Sequence, residues 1–286
     1  SGIIVLSVTV ALALLTQKEM SAASFERQQV KKYKVPDEKD ILKNWPYFRG
    51  PYTIGYAAYS NVPQTWDGES GVNILWKTPV PKPGFNSPVF WDNKIFLSGA
   101  DENTEEVYCF DDNSGQIIWQ RQVTGIPGSP SERPDVTEDT GYAAPTMAVD
   151  GSYVYAVFAT GNLVCFDVGG NKIWGKNLGV PDNHYGHSSS LIVDRGLLLI
   201  QYDHGNGASV MGLDAATGKT VWQVQRDMGI TWSSPILVNT GKRMELILSA
   251  NPFVVSYDPK TGNELWRVDC MGGEVASSPA YADGIV

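Results

Sequence analysis

Three markers recur about every 45 residues from Asn86 to the end of the chain, and no other feature restricts the fold so tightly. The first is a run of small residues ending in Pro or Ser: Asn86-Ser-Pro88, Ala143-Ala-Pro145, Ser188-Ser-Ser190, Ser233-Ser-Pro235 and Ser277-Ser-Pro279, with third residues 57, 45, 45 and 44 apart. The second is an Asp followed by a Gly at a turn: Asp111 and Gly115, Asp167 and Gly170, Asp214 and Gly218, Asp258 and Gly262. The third is a Trp four residues after each Gly, at Trp119, Trp174, Trp222 and Trp266. The longer first step carries about twelve extra residues, in a Gly- and Pro-rich insert near 124–141.

Each unit reads as four short strands; in the third they are Leu191–Val193, Leu197–Ile200, Ser209–Leu213 and Lys219–Trp222. The Asp of each turn bonds nearby backbone N–H groups and the Gly accepts positive φ. Four-stranded units at this period predict an all-β fold, a β-propeller whose antiparallel blades bury their faces against one another. The Trp residues are then first of all packing between blades. Two residues before the turn Asp stand Cys109, Cys165, Gly212 and Ser256, so the cysteines fill a tight packing slot rather than a redox site. Sheets ~10 Å apart also put a Cys109–Cys165 disulfide out of reach.

Composition agrees. Aromatics make up 11% with nine Trp, while charged residues are only 19%, which excludes disordered and coiled-coil chains. The net charge of −9 disfavours nucleic acid and anionic membranes as partners. At the other end, the apolar run Ile3–Leu15 has the length of a signal-peptide core, with Ser21 and Ala23 placed for cleavage after Ala23. Residues 1–23 are therefore expected to be a signal peptide, 24–44 a linker and 45–286 the propeller, exported to the periplasm or cell envelope. A retained anchor is the alternative for the apolar run; no transmembrane segment is expected in the mature chain. Four full repeats, the opening of a fifth at Val275–Val286 and a lone outer strand around Trp76 predict a partial ring, completed by blades of a longer parent chain.

Gly212-Leu-Asp-Ala-Ala-Thr-Gly-Lys-Thr-Val-Trp222 and Ser256-Tyr-Asp-Pro-Lys-Thr-Gly-Asn-Glu-Leu-Trp266 resemble the tryptophan-docking motif of pyrroloquinoline-quinone (PQQ) propeller repeats. Asn44-Trp-Pro-Tyr-Phe-Arg-Gly-Pro51 further resembles the opening of exported bacterial PQQ-binding-like propellers, a group similar to the propeller subunit of the outer-membrane β-barrel assembly machinery. The second repeat departs from the motif by one residue at Gly169-Gly-Asn171, and no lipobox Cys follows the apolar run. The resemblance implies two functions. One is a non-catalytic scaffold for protein or peptide partners in the cell envelope, with no cofactor. The alternative is a PQQ-dependent quinoprotein dehydrogenase holding PQQ and Ca²⁺, which in that family comes with two adjacent, disulfide-linked cysteines. Cys109, Cys165 and Cys270 include no adjacent pair.

No catalytic residue and no metal ligand are assigned. His184, His187 and His204 lack the spacing of a zinc site, and Ser188–Ser190 fill the repeated small-residue slot instead of forming a triad. The binding candidates share an offset: Phe85, Tyr142, His187 and Trp232 each stand three residues before the third marker position. Equal offsets predict an aromatic collar at one mouth of the axis, with His184 and the insert at the same rim. Packing of these rings between blades is the competing reading.

Overall fold

The computed structural model describes residues 34–57 and 59–286, so the candidate signal peptide and residues 24–33 of the segment read as a linker lie outside the described residues. The end of that segment carries a short helix. Helix α1 (Glu38–Lys43) starts on Asp37, whose carboxylate accepts the Asp40 N–H at 2.9 Å, and it buries Ile41.

Within the unit Pro36–Val286, the repeats become four separate sheets. The first holds β1 (Val89–Trp91), β2 (Lys94–Ala100), β3 (Glu105–Asp111) and β4 (Ile117–Gln122). The second holds β5 (Ala148–Val149), β6 (Tyr153–Val157), β7 (Asn162–Asp167) and β8 (Lys172–Asn177). The third holds β9 (Ile192–Asp194), β10 (Leu197–Tyr202), β11 (Ala208–Asp214) and β12 (Thr220–Arg226). The fourth holds β13 (Ile236–Asn239), β14 (Met244–Ser249), β15 (Phe253–Tyr257) and β16 (Glu264–Asp269). Strands pair antiparallel in chain order, and the sheets do not close into a ring. First strands meet first strands, β1 against β5 and β5 against β9. Last strands, such as β4 and β16, are largely exposed.

Each indole ties its blade to the next. Nε1 of Trp76, Trp119, Trp174 and Trp222 donates to the carbonyl of Asp112, Val168, Ala215 and Pro259 at 2.8, 3.1, 3.0 and 3.2 Å. Each ring lies on the turn glycine beyond it. Gly218, at φ +70°, shows why: a Cβ there would sit 2.7 Å from the Trp174 ring. Trp266 meets no further blade among the described residues and donates instead to Glu245 Oε2 at 2.7 Å, within its own sheet. The small-residue slot is explained by register, because Cys109, Cys165, Gly212 and Ser256 lie directly opposite Trp119, Trp174, Trp222 and Trp266, each beside a β-bulge. Cys109 and Cys165 are free and buried, and burial pushes the Cys109 thiol up to about 12.

A second tie runs where the first strands begin. The N–H of Ser87 donates to Thr146 Oγ1 (3.0 Å), that of Thr146 to Ser190 Oγ (3.1 Å), that of Ser190 to Ser234 Oγ (3.0 Å) and that of Ser234 to Ser278 Oγ (2.9 Å). Close approach of the first strands leaves each N–H only the hydroxyl of the next blade. The sequence separations are 59, 44, 44 and 44. This corrects the spacing read from the prolines: Thr146, which follows Pro145, is the counterpart of Ser87, which precedes Pro88, so the insert adds fifteen residues.

Three residues further along the first strands lies a strap. Trp45 and Phe90 exchange backbone hydrogen bonds (3.1 and 2.8 Å), and Val149 N–H donates to Pro46 O (3.0 Å). Tyr47 Oη donates to Val193 O (2.6 Å), and Leu237 N–H donates to Thr53 Oγ1 (3.0 Å). Phe90, Val149, Val193 and Leu237 are spaced by the same 59, 44 and 44 residues as the hydroxyl ladder, so the strap meets all four blades at one level. Arg49 Nη1 extends it to the fifth unit, donating to Pro279 O at 2.9 Å. The motif beginning at Asn44 is thus a structural tie across the first strands.

Candidate functional site

The blade register decides which of the proposed collar residues are equivalent. Phe85 N–H donates to Ala143 O (3.1 Å) and Trp232 N–H to Val275 O (2.9 Å), each to the residue one short of the ladder spacing. Phe85 and Trp232 therefore share a height, and their counterparts in the second and third blades are Ala144 and Ser188, whose hydroxyl reaches Trp232 O at 3.1 Å. Tyr142 and His187 are out of register. The four rings do not form one collar of equal height; the false equivalence came from aligning Pro145 with Pro88 for Tyr142, and Ser190 with Pro235 for His187.

His187 is 1% exposed, packed on Tyr202 with ring centroids 4.9 Å apart, and neither ring nitrogen has a hydrogen-bond partner. Burial, with His204 adding to it, holds its pKa down at about 3, so the ring is a neutral core group. The same region holds a buried ion pair, Arg226 Nη1 to Asp203 Oδ2 at 2.5 Å, with Gln201 Nε2 on the same oxygen at 2.7 Å.

The remaining rings form two clusters at one rim, on either side of the insert. In the first, Phe85 is 58% exposed and its ring faces Gly141, while Arg133 caps the Tyr142 ring from 5.6 Å. Phe85 and Tyr142, with Gly84, Ala100, Glu102 and Glu138 among others, line a cleft of about 400 Å³. In the second, His184 packs edge to face on Tyr185 and Trp232, centroids 4.2 and 5.2 Å apart, while Tyr185 and Trp232 meet tilted at 5.0 Å. Trp232 Nε1 donates to Asn183 Oδ1 (2.9 Å), and His184 Nε2 lies 3.5 Å from Glu274. Beside this triad a cleft of about 560 Å³ is lined by Pro134, Asp135, Asp182, Asn183, His184 and Asn206, among others. Asn183 Nδ2 is buried without a partner, a donor left over at the cleft wall.

The insert is the wall between the clefts, and its placement has a cause. Arg133 Nη1 reaches Glu105 Oε1 at 2.7 Å, and that carboxylate, 2% exposed, also accepts from Thr160 Oγ1 (2.5 Å) and Asn162 Nδ2 (2.9 Å). Asn162 also holds Ser129 of the insert at 3.0 Å. At its far end Thr137 N–H donates to Tyr185 O (3.2 Å). Tyr185, Asn183, Glu102 and Glu138 escaped sequence reasoning, because Tyr185 breaks the repeat and single acidic loop residues have no signature.

Among the described residues no three His, Cys, Asp or Glu side chains come together to hold a metal ion. No adjacent cysteine pair exists, and Cys109 and Cys165 stand in different blades behind indoles. Among the described residues, neither the cysteines nor any acidic cluster fits the adjacent disulfide and Ca²⁺ that the dehydrogenase resemblance implies. No helix among the described residues is long and apolar enough to cross a membrane.

The chain is similar in fold to larger propellers. A europium-containing methanol dehydrogenase is 12% identical with TM-score 0.60, covering 81% of this chain and 50% of that one. Quinohemoprotein alcohol dehydrogenase from Comamonas testosteroni is 16% identical with TM-score 0.56, covering 85% and 44%. BamB from Moraxella catarrhalis is 20% identical with TM-score 0.48, covering 69% and 55%. The chain spans about half the length of these structures. For the two dehydrogenases, at these identities, the likeness is one of fold. No curated protein matches the chain. The family model described as outer membrane protein assembly factor BamB matches residues 58–206 and 206–286. With its docking indoles and four-stranded blades, the chain belongs to this family of PQQ-like propellers.

Proposed function

We propose that this protein is a non-catalytic, exported β-propeller that serves as a binding and assembly scaffold in the cell envelope, engaging protein partners at the rim. The observation that carries the reading is the pair of rim clefts, one lined by Phe85 and Tyr142 and the other beside the His184–Tyr185–Trp232 cluster, held apart by an insert that is pinned through Glu105. Rigid scaffolds with long ordered loops at one end commonly bind there. Family membership supports a scaffold role in coarse terms, and partners and location within the envelope are part of the proposal. The second reading, a PQQ-dependent dehydrogenase, is favoured by the dehydrogenase neighbours in fold alone.

Two measurements on the full-length protein separate these readings. Reconstitution with PQQ and Ca²⁺ should give no substrate-dependent dye reduction. Affinity isolation from envelope extracts should lose its co-purifying proteins with Tyr185→Ala and Trp232→Ala, with a melting temperature near that of wild type for Tyr185→Ala. Dye reduction that requires PQQ, or partners retained by both variants, contradicts the scaffold reading at this rim.

A further inference from the structure

Building on the rim reading, the cleft between the first blade and the insert has a chemistry of its own. Its apolar lining includes Phe85, Gly84, Ala100 and Tyr142. Its two banks are turns with fixed geometry. On one, Asp101 Oδ1 accepts the N–H groups of Asn103 and Thr104, each at 2.9 Å, which leaves Glu102 at the tip. On the other, Thr137 O accepts the N–H of Thr140 (3.2 Å) and Gly141 (2.8 Å), which leaves Glu138 at the tip. Both glutamates line the cleft and are exposed.

The nearby cations are already committed. Lys82 pairs with Asp101, and Arg133 is bound to Glu105 while covering one face of Tyr142. Neither Glu102 nor Glu138 has an ion-pair partner among the described residues. Acidity continues along the rim through Asp135 and Asp182 at the second cleft and Glu274 beside His184. An exposed aromatic ring flanked by two unpaired carboxylates on rigid turns is the complement of a cationic side chain with an apolar stem. A Lys or Arg lays its methylenes on the ring and its charge between the carboxylates. The chain already makes this contact once, with Arg133 over Tyr142.

We infer that the Phe85–Glu102–Glu138 cleft is a docking site for a basic segment of a partner protein, which inserts a Lys or Arg side chain between the blade-one turn and the insert. This rests on the scaffold reading and adds the partner's charge and the residues that select it.

The test uses the full chain and a fluorescein-labelled peptide, Gly-Lys-Gly-Arg-Gly-Lys-Gly, with a counterpart in which every basic residue is Glu, followed by anisotropy. The basic peptide is expected to bind and the acidic one not to bind. The Glu102→Gln/Glu138→Gln double variant should weaken binding about tenfold, as should raising salt from about 50 to 300 mM, because charge carries the contact. Phe85→Ala should weaken it about fivefold through loss of the ring. Glu132→Gln, on the insert outside the cleft lining, should leave binding unchanged, and all variants should keep the wild-type melting temperature. Equal binding of both peptides, a double variant within twofold of wild type, or indifference to salt overturns the inference. If the peptide results fail while Tyr185→Ala still strips the partners, the cleft inference falls alone. If the peptide binds as expected while partners ignore Tyr185→Ala and Trp232→Ala, the scaffold reading at this rim falls while the cleft's selectivity for a basic segment stands.

Discussion

Trp222 and Trp266 hold the same place in the repeat but face different neighbours, and their replacement should show it. Trp222 docks on the Gly262 turn and packs in the cluster with Leu248, Val255 and Tyr257, whereas Trp266 leans on Glu245 of its own sheet. Trp222→Ala should cost ~3–5 kcal/mol in urea unfolding, the range for large aromatic-to-Ala changes in a core, and Trp266→Ala less than about half of that. Equal losses would contradict the docking geometry. His187 carries a second residue-level expectation. Its pKa is about 3 in the fold and about 6.5 when unfolded, so between those values the unfolded chain binds the extra proton. Its contribution is whole above pH ~6.5 and is lost as pH falls, by up to about 1.4 kcal/mol per unit. His204, whose pKa is lowered chiefly by burial, adds in the same direction. The slope of the urea midpoint between about pH 6.5 and 4.5 should flatten in His187→Gln. An unchanged slope would place the ring in water. The indoles were legible in the sequence because a Trp after an Asp–Gly turn has one obvious use in stacked sheets. The buried state of His187 was not, since pairing Ser190 with Pro235 instead of Ser234 shifts the ring by one residue, from the core to an expected place at the rim.

At the level of elements, the strap and the insert are the parts that the repeat pattern alone does not explain. Tyr47→Phe leaves the Val193 carbonyl without its 2.6 Å donor and should cost about 1–3 kcal/mol, the usual loss for a buried group left unpaired. Arg133→Ala leaves the buried Glu105 carboxylate with neutral donors only and should cost ~3 kcal/mol or more. Faster amide exchange over residues 126–141 should accompany it, and Glu105→Gln in the same background should recover part of the loss. Unaltered exchange would mean that the insert is held by something other than this pair. The blades could be read because strand length, turn chemistry and spacing all point one way. The strap could not, because its contacts join residues more than forty positions apart and one of its donors is a single phenol. The insert was visible as extra chain, but its role as a wall between clefts depends on Glu105, a carboxylate inside a strand with no local signal.

For the whole molecule, the strap binds the first strands of all four blades at one level, while docking indoles link neighbours only. Unfolding should therefore be a single transition, with far- and near-ultraviolet circular dichroism coinciding. Deleting residues 44–55 should split or broaden it, as expected of a repeat array coupled only by nearest neighbours. On the scaffold reading, partners meet the rim and not the opposite end. A photo-crosslinking residue placed in cells at Phe85 or Tyr185 tests it against the same residue at Asn93 or Lys242, exposed hairpin tips at the far ends of β1 and β13. Discrete protein adducts from Phe85 and Tyr185, and none from Asn93 and Lys242, are the predicted result; adducts confined to Asn93 and Lys242, or equal at both ends, would contradict it.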